Sequence, residues 1–453
     1  MKTYQDLLKA GANEKERGKF CFNAISEFKA SPEYAIARDG EAYYNKHNIT
    51  IEKFQKFLYT VSGRQVPDIF GANYKLKTLF FRRLVIQQVQ YLLGNGLSLG
   101  EPENKKKLGK SFDFKLQSAA KMAMAGGRSF GFWNLDHLEV FGFADTPSHP
   151  GFCPLYDDNT SELCAGIRFW QRRIGENMTY WCTLYEEDGY TEYSKKGNKE
   201  IKVTTPKKAY KTTMLSTLAG GVEKEIEENY GRLPIVQLFA NDTHESELVG
   251  IRESIDCYDF IKSGLANAID DTAEIYWVIK NSGGMEDPDI AKFLQRLKTM
   301  HGAAYDGTGD SEVTANTVDV PVEARRTMIE LLRNDIYEDF QALDVRTLSA
   351  AAKTTQEIQA AYQAQDNKCD DFEYYLLEFV DNILELAGIE DNPTFERNRI
   401  INQNEQTQMV LSAANYLPEE ILLNKLPWLT PEEVAIALQE LDKQGYQAFN
   451  DEE

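Results

Sequence analysis

Few side chains in this sequence stand at spacings that do chemistry. Asp270 and Asp271 are adjacent carboxylates, but neighbours on a helix point about 100° apart and cannot chelate one ion together. The pair reads as a solvated helix end. Ser349 and Lys353 form an SxxxK spacing, not the SxxK of acylating enzymes. The five histidines (His47, His137, His149, His244, His301) include no HxxxH or HxH pair, so a histidine metal site is not predicted. The six cysteines (Cys21, Cys153, Cys164, Cys182, Cys257, Cys369) form no CxxC and read as buried free thiols in a reducing compartment. There is no GxxxxGK[ST] phosphate loop, GxGxxG fingerprint, GxSxG elbow or HExxH helix, which argues against ATPase, dehydrogenase, hydrolase and protease chemistry. Trp133, Trp170, Trp181 and Trp277 fall in strand-like runs and read as core. The chain reads as non-enzymatic, with no cofactor and no metal.

Charge narrows the remaining classes. The formal net charge is −21, from 50 Lys plus Arg against 71 Asp plus Glu. Tight static binding of nucleic acid needs phosphates neutralised by cations, so this chain is not built to grip DNA. An acidic wall that repels phosphate and lets it slide stays compatible with the balance. The 453 residues suffice for about three domains or subdomains. No run approaches the roughly 18 consecutive apolar residues of a membrane span; the most apolar stretch, Leu84 to Leu93, is broken by Gln87, Gln88 and Gln90. The charged N-terminus MKTYQDLLKAGANEKERGK lacks the apolar block of a secretory signal, so the protein is expected to stay in the cytoplasm.

The elements that would position any site follow from periodicity. Up to about Lys46 the chain reads as helices. Thr50 is the expected cap of a short helix over Ile51–Ser62, and Asn73–Leu93 reads as one helix closed by Gly94-Asn95-Gly96. Phe112–Ala125 reads as another helix, stopped by Gly126-Gly127. From Arg128 the period becomes two, in short runs punctuated by Gly, Asn, Asp-Gly and Pro, which predicts antiparallel hairpins. Lys195–Lys211 reads as an exposed basic loop or edge hairpin, and IVQLFAND as a further strand. Leu248, Ile251, Ile255, Tyr258, Ile261, Leu265 and Ile269 then step by three and four, predicting a helix over Glu247–Ala273 about 40 Å long. Ile275 to Ile279 leaves it as a strand. A turn, a short helix over Ile290–Met300 and a strand near Val313–Val320 form a small insertion. Pro321 starts a second long helix, with Ile329, Leu332, Ile336, Phe340 and Leu343 on one face. Asp344–Thr355 reads as a polar loop or a broken helix, Gln356–Gly388 as a third long helix, and the rest as short helices with an acidic, frayed end.

In that order, YYNKHN, NYKLKTLFFRRLVIQQVQYLLGNG, GRSFGFWNLD, CPLYDDNTSELCAGIRFW, GRLPIVQLFAND, ELVGIRESIDCYDFIKSGLANAIDDTAEIYWVIK, KTTQEIQAAYQ, CDDFEYYLLEFVDNILELAG, PTFERNRIINQNEQTQM and LPWLTPEEV resemble the portal proteins of tailed bacteriophages and prophages, of the type found in long-tailed phages of Gram-positive bacteria. The resemblance spans nearly the whole chain. It implies an α+β protomer: a mixed helix and antiparallel-strand wing (1–246), a first stem helix (247–272), a small α/β clip (273–320), a second stem helix (321–343), a tunnel loop (344–355), a long helix returning to the wing (356–391) and an all-α crown (392–453).

It also implies a ring, dodecameric in this family, at one capsid vertex, through which double-stranded DNA is packaged and ejected. Implied partners are further copies of the chain, the DNA, the terminase large subunit, scaffolding and major capsid proteins, and a head-completion adaptor, with no membrane. The implied location is the virion, after assembly in the bacterial host cytoplasm. In this sequence the DNA-facing tunnel loop would carry Arg346, Thr347, Ser349, Lys353 and Thr354. The intersubunit stem seam would carry Ile251, Ile255, Tyr258, Leu265, Ile269, Ile329, Leu332 and Ile336. The alternatives from other classes are an acidic helical adaptor without a DNA channel, and a metal-dependent nuclease using scattered carboxylates.

Overall fold

The alternation that begins at Arg128 builds an eight-stranded sheet. The computed structural model describes residues 2–59, 63–68, 71–197, 199–216, 223–271, 276–280, 312–316, 321–346, 355–398, 403–414, 416–426, 429, 433–434 and 436–440. Contacts group the chain into two units: Met1–Glu41 with Phe81–Val249 and Phe340–Glu453, and Ala42–Phe80 with Gly250–Asp339. Residues 42–80, assigned by resemblance to the wing, therefore group with residues 250–339.

In the first unit the sheet runs, edge to edge, Lys202–Lys208, Gly189–Lys196, Asn177–Glu186, Leu163–Ile174, Gly151–Tyr156, His137–Gly142, Arg128–Asn134 and Ile235–Phe239. Neighbours are antiparallel as the hairpin signals predict, except His137–Gly142 and Gly151–Tyr156, which meet in parallel at Gly142 and Gly151. Alternation sends Phe130 and Phe132 to one face, into a core with Phe28 of helix Glu14–Lys29 and with Phe152, Ile167 and Tyr185. Ser129, on the other face, donates to the Ala119 carbonyl of helix Phe112–Gly126. Gly131 shares that face beneath helix Thr355–Ala387, where an added Cβ would lie 2.5 Å from Phe379; only glycine lets that ring approach. The unit is thus a sheet with helices on both faces. The basic stretch after Lys195 forms the expected edge hairpin, with Lys202–Lys208 paired to Gly189–Lys196. Trp133 is core, as expected, whereas Trp170 and Trp181 are half-buried and stack on each other with centroids 6.2 Å apart.

Residues 391–397, at the start of the segment expected to form the crown, are tied into this unit. Thr394–Phe395 pairs with Leu97–Ser98. Arg397 meets Asp366, Asp370 and Glu373, and Asp391 accepts from the Gly100 and Glu101 amides and the Asn104 side chain. The Asn104 hydrogen bond first, then the Glu101 amide, hold the Asp391 carboxyl down to about 2.

The second unit holds helices Arg252–Asp271 and Val322–Asp339. The first begins later than its periodicity predicts, because 248–251 form turns before it. Strands Tyr276–Lys280 and Glu312–Asn316 between the two helices pair antiparallel; the helix expected at Ile290–Met300 lies outside the described residues. Asn48, rather than Thr50, caps the short helix, accepting from the Ile51 amide. That helix ends at Lys53, since Phe57–Tyr59 pairs with Gln65–Pro67 as a strand.

The largest departure from the sequence reading is Asn73–Leu93, whose helix starts only at Phe80. Tyr74, Leu76 and Thr78 are extended, and their amides donate to Asn267 Oδ1 at 2.6 Å, Ser263 Oγ at 3.0 Å and Asp259 Oδ1 at 3.1 Å. The spacings fit, since four residues of helix rise about 6.0 Å and two residues of strand about 6.6 Å. Each rung takes an amide that helix 252–271 then satisfies in place of a local helix carbonyl. Asp259 also accepts from Asn48 Nδ2 at 3.0 Å, while Asp256 accepts from Tyr43 at 2.5 Å and Thr50 at 2.8 Å. Burial, then the bond to Asp256, push the Tyr43 hydroxyl up to about 12. Phe80 closes the segment with its ring edge-on to Tyr258 and Tyr337, one from each long helix.

Burial raises the Asp259 carboxyl above its ordinary value despite its donors, so the charge itself costs stability at neutral pH. Asp259→Ala leaves the Thr78 amide and the Asn48 side chain without an acceptor and should cost about 3 kcal/mol. Asp259→Asn keeps one acceptor and removes the charge, so it should cost less. Urea midpoints measure both, and an unchanged midpoint for Asp259→Ala would contradict the rungs. The lowered Asp391 stabilises above the unfolded carboxylate value near 4 and loses that effect as pH falls towards 2. Protection of the Gly100 and Glu101 amides, relative to their intrinsic exchange at each pH, should therefore fall over that window, and flat protection would contradict the tether.

Candidate functional site

The two long helices present three kinds of surface, set by which residues their periods bring together. On helix 252–271, Asp259, Ser263 and Asn267 form a polar stripe at steps of four, all buried against residues 74–78. Apolar residues occupy a second face. Of the expected seam, Ile251, Ile255, Leu332 and Ile336 are buried in the chain itself, at 1%, 2%, 6% and 0% exposure. They serve packing inside one copy and have no surface to offer another. Tyr258, Leu265 and Ile329 are half-buried, and Ile269 is exposed.

A third surface was not singled out by periodicity. Phe260 is 49% exposed beside Phe54, the two rings meeting edge-on at 5.1 Å. Met328 and Leu331 on the second helix are 39% and 52% exposed. Exposed large apolar side chains on a charged helix are the signal that could have found it. Glu323, Glu330, Asp335, Glu338 and Asp339 on the second helix are also exposed, and only Glu330 among them pairs in the described residues, with Arg326. The helix pair therefore offers apolar spots set in an acidic surface.

Of the expected tunnel loop, the described part ends at Arg346, an exposed side chain whose guanidinium meets the Asp344 carboxylate at 3.3 Å. Leu343 is buried, and its carbonyl accepts from Gln87. The near end of the loop is thus fixed to its own unit. Thr347, Ser349, Lys353 and Thr354 lie outside the described residues. Asp270 is exposed at the helix end. Among the described residues no group of three or more His, Cys, Asp or Glu side chains could hold a metal ion, and no helix is long and apolar enough to cross a membrane.

A sequence model of the phage portal proteins, SPP1 Gp6-like, matches residues 36–447. The portal protein of Clostridium phage phiCD119 is 24% identical over 432 residues, covering 91% of this chain and 93% of that relative. The portal protein of Bacillus phage SPP1 is 25% identical over 316 residues; the match covers 67% of this chain and 60% of the relative's length. Among solved structures, the neck of a native gene transfer agent particle computed with C12 symmetry aligns with 79% of this chain and 89% of its own, at 9% identity and a TM-score of 0.39. The neck of the empty particle, computed with C6 symmetry, aligns with 76% and 88%, at 9% identity and a TM-score of 0.42. With the family match running through both units, the chain belongs to the SPP1 Gp6-like phage portal proteins, a structural family of the phage head and not a family of enzymes.

Proposed function

We propose that copies of this chain close into a ring, of twelve as in the family it resembles, at one vertex of the capsid. Double-stranded DNA is packaged and later ejected through the channel of that ring. The observation that carries this reading is the family match over 36–447, joined to a helix pair whose polar face is spent inside the chain while Phe260, Met328 and Leu331 stay on its surface. In a ring, those side chains make the stem seam, together with the half-buried Tyr258, Leu265 and Ile329. Helix ridges of one copy then pack against a neighbour's grooves. Exposed acids such as Glu323, Asp335 and Glu338, where they line the channel, repel phosphate and keep DNA mobile. Arg346 and Lys353 in the tunnel loop give brief phosphate contacts.

The remaining roles follow the same assignment. The insertion 273–320 is the clip that docks the terminase large subunit during packaging and a head-completion protein afterwards. Residues 1–246 and 356–391 form the wing, which meets scaffolding and capsid proteins, and 392–453 form the crown. The assembled location is the virion, after assembly in the host cytoplasm.

Leu331→Asp places a charge on the seam and should lower the ring fraction in electron micrographs at least tenfold, with the urea midpoint unchanged. Ile255→Asp buries an unpaired charge and should instead destabilise the chain by about 4 kcal/mol. Full ring yield from Leu331→Asp would contradict the seam. Monomers of the wild-type chain at every concentration, even with scaffolding protein present, would favour an adaptor without a channel.

A further inference from the structure

The chain is strongly acidic, yet one end of its sheet is basic. Just before strand Leu163–Ile174 turns into Asn177–Glu186, Arg172 and Arg173 are exposed, with the exposed Glu176 in the turn itself. Register places Thr179 and Lys196 alongside Arg172, and Tyr180 and Lys195 one step further back. Alternation therefore puts Arg172 and Lys196 on one face and Arg173 and Lys195 on the other. Lys199 and Lys202 extend the patch and are exposed. None of these six cations makes an ion pair among the described residues, although Lys195 is half-buried with its ammonium over the Phe22 ring. Ile174, Met178 and Tyr180 stand among them, exposed by 54%, 38% and 38%. Cations mixed with exposed apolar side chains suit a protein surface better than a phosphate backbone, which offers nothing to Ile174 or Met178.

The complement lies in the same unit. Helix Thr355–Ala387 buries Phe372, Leu376, Phe379 and Ile383 against the sheet. Its outer face carries Asp371, Tyr374, Glu378 and Asp381, at steps of three and four and all exposed, Tyr374 by 74%. Asp371 and Asp242 open onto a cavity of about 410 Å³ lined also by Tyr374, Tyr375 and the Lys368–Glu247 ion pair, which leaves the two aspartates as its unpaired charges among the described residues. Asp242, Asp371, Glu378 and Asp381 make no ion pair among the described residues. Carboxylates beside aromatic rings in a cavity suit a guanidinium or ammonium group.

The two patches cannot satisfy each other within one copy. The basic patch occupies the four strands from Lys202–Lys208 to Leu163–Ile174, while the acidic helix packs on the strands at the opposite edge, Arg128–Asn134 and Ile235–Phe239. At least three strand spacings, roughly 15 Å, lie between them. We propose that the basic end of the sheet docks onto the acidic-aromatic face of helix 355–387 of a second copy, with Arg172 or Arg173 reaching the cavity at Asp242 and Asp371. Because the two surfaces differ, the contact is head-to-tail, the kind that generates closed rings when the rotation fits. It also answers how copies of net charge −21 associate at all, since local complementarity offsets the general repulsion. The contact rests on the ring reading above for its closure, not for its existence.

Two full-length variants test it, Arg172→Glu/Arg173→Glu and Asp371→Lys/Glu378→Lys, each checked for an unchanged urea midpoint. Each alone sets like charges against each other at every contact, so the assembled fraction in native mass spectrometry should fall at least tenfold. Mixed one to one, each variant's altered patch faces a complementary altered patch, and assemblies that alternate the two should return to within about threefold of the wild-type fraction. The return should vanish in high salt. Wild-type assembly by either variant alone, or no mixed assembly, overturns the contact. Mixed assemblies that alternate but never close uphold the contact and overturn the ring.

Discussion

The fit between a helix period and a strand period holds the second unit together. Asp259, Ser263 and Asn267 repeat every fourth residue, the amides of Thr78, Leu76 and Tyr74 every second, and the two repeats differ by only about 0.6 Å per step. An extended segment thus lies along a helix with its amides satisfied by side chains instead of by another strand. The consequence reaches past the three rungs. Phe80 is delivered between Tyr258 and Tyr337, so the segment sets the spacing of the two long helices. Asn48 joins the short helix it caps to the same Asp259. Removing the rungs would loosen both helices of the pair and the segment that precedes Phe81.

That arrangement decides which surfaces remain for assembly. A helix has a limited circumference, and here one stripe is polar and buried, and a second is apolar and buried through Ile251 and Ile255. What is left outside is mostly polar or charged, apart from Phe260 and Ile269 and, on the partner helix, Val322, Met328 and Leu331. In the proposed ring, Phe260, Met328 and Leu331 would pack against a neighbouring copy, and the proposed docking of the basic end of the sheet would add a second contact of different chemistry. In that proposal the apolar seam would add stability, while charge complementarity would select which neighbour docks and in what register.

The long helices were legible in the sequence because their apolar steps are local. Arg252–Asp271, Val322–Asp339 and Thr355–Ala387 each fall within a few residues of the periodic stretch that predicts them, and the hairpins after Arg128 follow from alternation. What failed to read through was set by distant partners. The amides of residues 74–78 find acceptors 181 to 193 residues further on, so a local pattern of good helix formers misleads. The alternation of Tyr74, Leu76 and Thr78 was the cue. The seam shows the second limit, since an apolar stripe looks the same whether it packs against its own chain or another. Ile255 and Leu331 share an apolar character but not a location, and only burial separates them. The Asn48 cap and the early end of its helix were likewise fixed by pairing of residues 57–59 with 65–67.

The most direct test of the account is electron microscopy of the purified wild-type chain, with class averages computed without imposed symmetry. The account predicts closed rings with an open central channel and one repeated head-to-tail contact. Monomers, or symmetric dimers in which the same surface meets itself, would contradict it.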